Sequence, residues 1–242
     1  MASLGAVPGD LVLLHGFTQT GRSWAPVVAA VGARYRCFAP DLPGHGDAEG
    51  RRPASFGAVT AYLAALKPER FALCGYSMGG RLALAAALAL PARVERLVLA
   101  GASPGLADPA ERTARRAADE ALATRIEADG VAAFVEAWSA QPLFAGQPRG
   151  IADFARADRR RNTAAGLAAA LRGMGTGTME PVWDRLGELR MPVTLIAGER
   201  DEKFRAIAQR MASAIPQATL VIAPGAGHAV HLEAPQVVAG AL

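Results

Sequence analysis

Short apolar runs recur along the chain at residues 11–15, 35–41, 71–77, 97–102, 193–198 and 218–223, each running into Gly, Pro, Asp or Ser. Strands buried on both faces lose the in–out alternation of a half-exposed sheet, so these runs predict strands of a mostly parallel sheet. Patterns of helical period at 24–32, 56–66 and 80–90 fall between them. Strand and helix in alternation predict an α/β architecture, with helices covering both faces of a central sheet.

From residue 103 to 190 the alternation stops, and Ala-rich helical patterns follow one another. Asp108, Pro109 and Glu111 make a helix start, with Asp as N-cap, Pro at the first position and Glu three residues after the cap. Asp129-Gly130 predicts the end of that helix. Further helices are expected over 131–138, 151–161 and 164–171, then a loop at 173–177 and a short helix near Trp183. The expected organisation is a core built from residues 1–102 and 191–242, with 103–190 inserted as a helical lid.

Composition narrows the class. With 242 residues, 51% of them hydrophobic, the chain can bury a sizeable core without disulfides or a structural metal. Cys37 and Cys74 sit inside apolar runs, where a thiol behaves as a small buried hydrophobe. The longest apolar stretch, 82–90, falls well short of the ~18 residues a membrane span needs, and the N-terminus shows no basic segment followed by an apolar one. A soluble cytoplasmic protein is expected.

The charge is less ordinary. Of 26 basic residues only Lys67 and Lys203 are lysines, and the formal net charge is +4. Residues 103–190 hold 12 Arg against 12 acids, so the whole excess lies in the core. That distribution predicts no nucleic-acid partner. Arginine is the better residue for gripping carboxylates in a fork, so an anionic small molecule fits the bias.

Gly75-Tyr76-Ser77-Met78-Gly79-Gly80 lies between a predicted strand and a predicted helix. This is the nucleophile-elbow pattern, in which the turn is too tight for side chains at the flanking glycines and the serine is held in a strained, exposed conformation. Such a serine needs a base, and the base needs an orienting acid. Asp201 follows the run at 193–198 and His228 follows the run at 218–223, giving the order Ser, Asp, His just past the carboxyl ends of strands. His15, His45 and His231 compete for the base, and Glu199 and Glu202 for the acid. Backbone N–H groups of Phe17 and Met78 are expected to hold developing negative charge. The histidines are scattered and no metal-binding spacing is present.

Taken together, His15-Gly16-Phe17, Asp41-Leu42-Pro43-Gly44-His45-Gly46, the elbow with Arg81, and Gly225-Ala226-Gly227-His228 resemble the α/β-hydrolase superfamily. Ser103-Pro104-Gly105-Leu106, the stretch from Trp138 to Phe144, Arg159-Arg160-Arg161-Asn162, Leu171-Arg172-Gly173-Met174-Gly175-Thr176-Gly177 and Gly198-Glu199-Arg200-Asp201-Glu202-Lys203-Phe204 narrow the likeness. With them the chain, from about Leu13 onward, is similar to the 2-succinyl-6-hydroxy-2,4-cyclohexadiene-1-carboxylate synthases, the pyruvate-eliminating lyases of menaquinone biosynthesis. The resemblance implies a Ser77-Asp201-His228 triad and carboxylate binding by Arg81, Arg115 and Arg159, with Arg160 and Arg161 adjoining the last. It places Tyr76, Trp138 and Phe144 around the substrate ring. It implies no cofactor and a small polycarboxylate as ligand; no metal, no stable membrane insertion, and a monomer or weak homo-oligomer are expected beside it. The short segment ahead of residue 11 leaves little room for the family's initial hairpin.

Plainer readings stand beside these. Arg115 could pair with Asp119 one helical turn on, and Trp138 and Phe144 could be lid core. The elbow alone would equally serve a carboxylesterase or a carbon–carbon bond hydrolase, and a ligand receptor on the same fold can keep the triad without turnover.

Overall fold

The structure, a computed structural model, describes residues 9–242. The expectations about a leader segment and an initial hairpin fall largely on residues 1–8, outside the described residues. In chain order the elements are β1 (Gly9–Leu14), α1 (Ala25–Val31), β2 (Tyr35–Phe38), α2 (Phe56–Ala64), β3 (Phe71–Tyr76), α3 (Met78–Ala89) and β4 (Val94–Ala100). Then come α4 (Pro109–Ser139), α5 (Arg149–Arg159), α6 (Ala164–Met174), β5 (Val193–Gly198), α7 (Glu202–Ala214), β6 (Ala218–Ala223), α8 (Val230–Glu233) and α9 (Pro235–Gly240).

The six strands form one sheet in the order β2-β1-β3-β4-β5-β6, with every pairing parallel. Successive side chains point to opposite faces, so each inner strand feeds two cores. Val12, Leu14, Leu73, Leu97, Leu99 and Leu195 pack with α2, α3 and α7. Leu11, Leu13, Cys74, Val98 and Ile196 pack on the other face with α1, α8 and α9. Truncating one such buried leucine to alanine costs about 2–5 kcal/mol, which explains why the strand runs are apolar throughout.

Boundaries moved where tertiary context intervened. β2 stops at Phe38 rather than 41, because Pro40 lacks the N–H a ladder needs and this strand is the sheet edge. β4 begins at Val94, ahead of the predicted 97, because Val94 pairs with Phe71 and is buried. α8 and α9, absent from the sequence reading, close the second face.

Between β4 and β5 lie α4 to α6. Asp108 caps α4 as expected, accepting from Ala110 N–H at 2.8 Å. Gly130 leaves helical geometry at φ 80°, ψ 164°, so the predicted helix end is a kink after which the helix resumes to Ser139. Ala123, Ile126, Phe134, Val135, Leu167, Ala168 and Leu171 give these helices a small core of their own. No helix among the described residues is long and apolar enough to cross a membrane.

Candidate active site

The elbow is built as its glycines require. Ser77 sits at φ 52°, ψ −109°, a left-handed conformation rare for a residue with a side chain. A Cβ at Gly75 would collide with the Gly79 carbonyl, and one at Gly79 with the carbonyl of Leu14 in β1. The Ser77 N–H donates to Ala100 O at 2.9 Å, fixing the turn to the end of β4. The strain at Ser77 is thus held by backbone on both sides, leaving its hydroxyl at the start of α3.

Two later strand ends deliver the partners. Ser77 Oγ lies 3.2 Å from His228 Nε2, and His228 Nδ1–H donates to Asp201 Oδ2 at 2.6 Å. Asp201 is itself fixed as the N-cap of α7, its Oδ1 accepting from Phe204 N–H at 3.3 Å. The His228 ring packs between Phe204 and Tyr76, with ring centroids 4.5 and 5.3 Å away.

The rival histidines do other work. His15 donates from Nδ1 to Gly16 O and accepts the Leu42 N–H at Nε2, both at 2.9 Å, and burial pushes its pKa down to about 4. His45 accepts the Thr18 N–H at 3.4 Å, and burial, with the nearby His15, pushes it down to about 3. Both hold the loops after β1 and β2. His231 packs against Tyr76 and Trp24, with ring centroids 4.1 and 5.0 Å away, and burial keeps it well below the usual range. Glu199 accepts the Gly225 N–H, while Glu202 opens α7, and the carboxylate on His228 is that of Asp201.

Ser77, Met78, Phe17 and His228 open onto a cavity of about 760 Å³, whose wall includes Arg81, Arg115, Arg125, Trp138, Lys203 and Arg210. Met78 begins α3, where a helix N–H has no intrahelical partner and can face an anion. Arg81 is 7% exposed and donates to Gly175 O at 3.2 Å. Burial, then the neighbouring Arg115, lowers its pKa to about 10. A buried cation so placed is poised for an anionic ligand. Arg115 pairs with Asp119 at 2.8 Å and lines the same cavity, so the plain reading and the binding reading describe one side chain. The sequence reading did not single out Arg125, Lys203 or Arg210, since exposed cations on helices carry no local signal.

Arg159 is placed differently. It is 2% exposed, stacks under Phe144 at 4.5 Å, and donates to Thr18 Oγ1 and Ser139 Oγ at 3.3 and 3.0 Å. Arg159, Phe144 and Tyr76 do not line that cavity but neighbour residues that do, Phe144 lying 6.5 Å from Trp138 and Tyr76 5.3 Å from His228. Among the three adjoining arginines only Arg159 turns inward, as Arg160 pairs with Glu136 and Arg161 with Asp47 at the surface. Trp138 meets Phe17 edge-on at 5.3 Å, and its indole N–H has no hydrogen-bond partner. No cluster of three metal-binding side chains occurs among the described residues.

A strained serine between strand and helix, with histidine and carboxylate brought from later strand ends of a parallel sheet, defines an α/β-hydrolase, and residues 11–241 match the alpha/beta hydrolase family. A Bacillus subtilis (strain 168) protein, provisionally named 2-succinyl-6-hydroxy-2,4-cyclohexadiene-1-carboxylate synthase, is 40% identical over 94% of this chain and 86% of its own length. The synthase of that name from Serratia proteamaculans (strain 568) is 33% identical over 96% of this chain and 91% of its own. The structure of MenH from S. aureus matches with a TM-score of 0.91 at 34% identity, covering 97% of this chain and 93% of that one. The chain therefore belongs to the 2-succinyl-6-hydroxy-2,4-cyclohexadiene-1-carboxylate synthase family.

Proposed function

We propose that the chain eliminates pyruvate from 2-succinyl-5-enolpyruvyl-6-hydroxy-3-cyclohexene-1-carboxylate to give 2-succinyl-6-hydroxy-2,4-cyclohexadiene-1-carboxylate, in menaquinone biosynthesis, with Ser77, His228 and Asp201 acting as a base. The ring hydrogen lost lies next to the succinyl ketone, which acidifies it. Ser77 gives its proton to His228 Nε2 and takes the ring proton. The C–H electron pair becomes a new ring double bond, the existing double bond moves along one position, and the far C–O bond breaks. The departing enolate is protonated to pyruvate.

Each residue has a share in that sequence. Asp201, on Nδ1, stabilises the imidazolium that forms, and positioned base catalysis of this type supplies about 10²–10⁴-fold. Negative charge gathers on the ketone oxygen, and the N–H groups of Met78 and Phe17 are the donors for it; such a donor contributes about 3–4 kcal/mol in acyl-transfer enzymes. Arg81 and Arg115 orient the carboxylates, and Trp138 packs on the ring. Residues 103–190 serve as a lid that supplies the second arginine and the aromatic cover. Arg159 and Phe144 brace that cover from behind.

The observation that carries the reading is that the Ser77–His228 pair opens onto a cavity walled by a buried Arg81 and by Arg115. An ester hydrolase acting on neutral substrates has no use for a desolvated guanidinium there. The test is a coupled pyruvate-release assay on the enolpyruvyl precursor. Pyruvate and the diene should form in equal amounts. Rapid turnover of neutral esters without pyruvate release would overturn the reading in favour of a carboxylesterase, and tight binding without turnover in favour of a receptor.

A further inference from the structure

The turn from Gly225 to His228 is held by two residues outside the Ser77–His228–Asp201 array. Glu233, the last residue of α8, folds its carboxylate back so that the Gly227 N–H donates to Oε2 at 2.8 Å. That bond closes the backbone from 227 to 233 into a ring with His228 inside it. Arg200 donates from Nη2 to the same oxygen at 2.7 Å and from Nε to Gly225 O at 2.9 Å. Its backbone N–H donates to Ala226 O at 2.9 Å. Arg200 precedes Asp201 in the chain, so one residue braces the acid's loop and the histidine's turn together.

The same pair reaches the insertion. Arg200 Nη1 donates to Ala145 O at 3.0 Å, and Gln147 Nε2 donates to Glu233 Oε1 at 3.0 Å. Both partners follow Phe144, which stacks over Arg159. Gly146 has φ +75°, and a Cβ there would collide with Arg200 Nη1, so a glycine is needed for the approach. The Glu233 side chain is 3% exposed and Arg200's 38%. Only the carboxylate side of the pair is buried, so its weight lies in geometry rather than in stability, and the guanidinium fork fixes three partners at once.

We infer that Arg200 and Glu233 are positioning residues, which set His228 between Ser77 and Asp201 and make that setting depend on residues 145–147 being seated against the turn. Neither touches the cavity. The inference rests on the reading of His228 as the group that receives the Ser77 proton.

Arg200→Met, Arg200→Lys, Glu233→Gln and Gln147→Ala test it, with Arg185→Met, which removes an exposed surface pair with Glu188, as control. A misplacement of about 1 Å costs about 100-fold in rate, so kcat for pyruvate release should fall about 10- to 100-fold in Arg200→Met and Glu233→Gln, with KM within about twofold. Arg200→Lys should recover part of the loss, and the control should behave as wild type. The second readout needs no turnover: the NMR signal of the His228 Nδ1 proton should shift or broaden in Arg200→Met, Glu233→Gln and Gln147→Ala, and not in the control. If Arg200→Met does not fold, the other two variants carry the comparison. An unchanged His228 signal in the folded variants, whatever the rate, would overturn the inference. A wild-type chain that releases no pyruvate would instead overturn the functional reading, leaving the NMR comparison to decide the positioning role.

Discussion

The sheet core and the helical insertion are held together by different means. In the core, apolar strands feed two packed faces, and the buried side chains of His15 and His45 hold backbone in loops. In the insertion the apolar core is small and charge is abundant: Arg172 bridges Glu120 and Glu127, Arg156 pairs with Asp153, and Arg160 with Glu136. Where the two meet, Ala170, Met174 and Met179 join the sheet's apolar core, and buried polar contacts lie beside them. Asp158 accepts from the N–H and hydroxyl of Thr20, and Asn162 accepts from Gly46 N–H and donates to Thr18 O. Under the proposed function the core would carry the proton chemistry and Arg81 on rigid backbone, while the insertion would add Arg115 and Trp138 on a layer docked by these contacts.

The largest effect should come from the core's chemistry. Ser77→Ala removes the proposed base, and kcat for pyruvate release should fall at least about 10³-fold with the folding transition unmoved. A loss below tenfold would mean that His228 takes the ring proton without the serine. Gly79→Ala attacks the core's geometry instead. Its Cβ would meet the Leu14 carbonyl, and the chain should lose about 3 kcal/mol or more in urea unfolding, because backbone there cannot yield.

Acid should weaken the core loops before it reaches the insertion. His15 and His45 stay neutral in the folded chain down to about pH 4 and about 3, whereas unfolded they take up protons below about 6.5. Unfolding therefore binds protons in that window, and stability should fall by about 2 kcal/mol per group between pH 7 and pH 5. Urea midpoints at the two pH values measure it, and identical midpoints would contradict the burial of both rings. The smallest effect on folding belongs to Arg115→Ala, because the guanidinium is half exposed and Asp119, though buried, keeps the Gly177 N–H as a donor. It should lower kcat/KM about 10- to 100-fold while leaving thermal unfolding nearly unchanged, which separates recognition from cohesion. Wild-type kinetics in that variant would remove the insertion from substrate binding.

The sequence was most informative where a feature is local. The elbow is legible because strand, Gly-x-Ser-x-Gly and helix are contiguous, and Asp201 and His228 because each follows an apolar run directly. Gly130 reads as a boundary between two helices, since nothing local says that the segment over 131–138 continues the first as one kinked helix. α8 and α9 are too short, and follow the Gly-rich turn too closely, to leave a helical period. Arg159, Arg160 and Arg161 are indistinguishable as a run, and only the docking of α5 against Thr18 and Ser139 turns the first inward. The Arg200–Glu233 pair spans a strand and a turn, so no spacing rule announces it.

The central claim is that the Ser77–His228–Asp201 array removes a proton instead of attacking a carbonyl. It is tested most directly by following the wild-type chain on the enolpyruvyl precursor by intact mass and product release together. The expected result is pyruvate and diene in equal amounts with the chain's mass unchanged throughout turnover. Accumulation of an acylated chain, with succinate rather than pyruvate released, would contradict it.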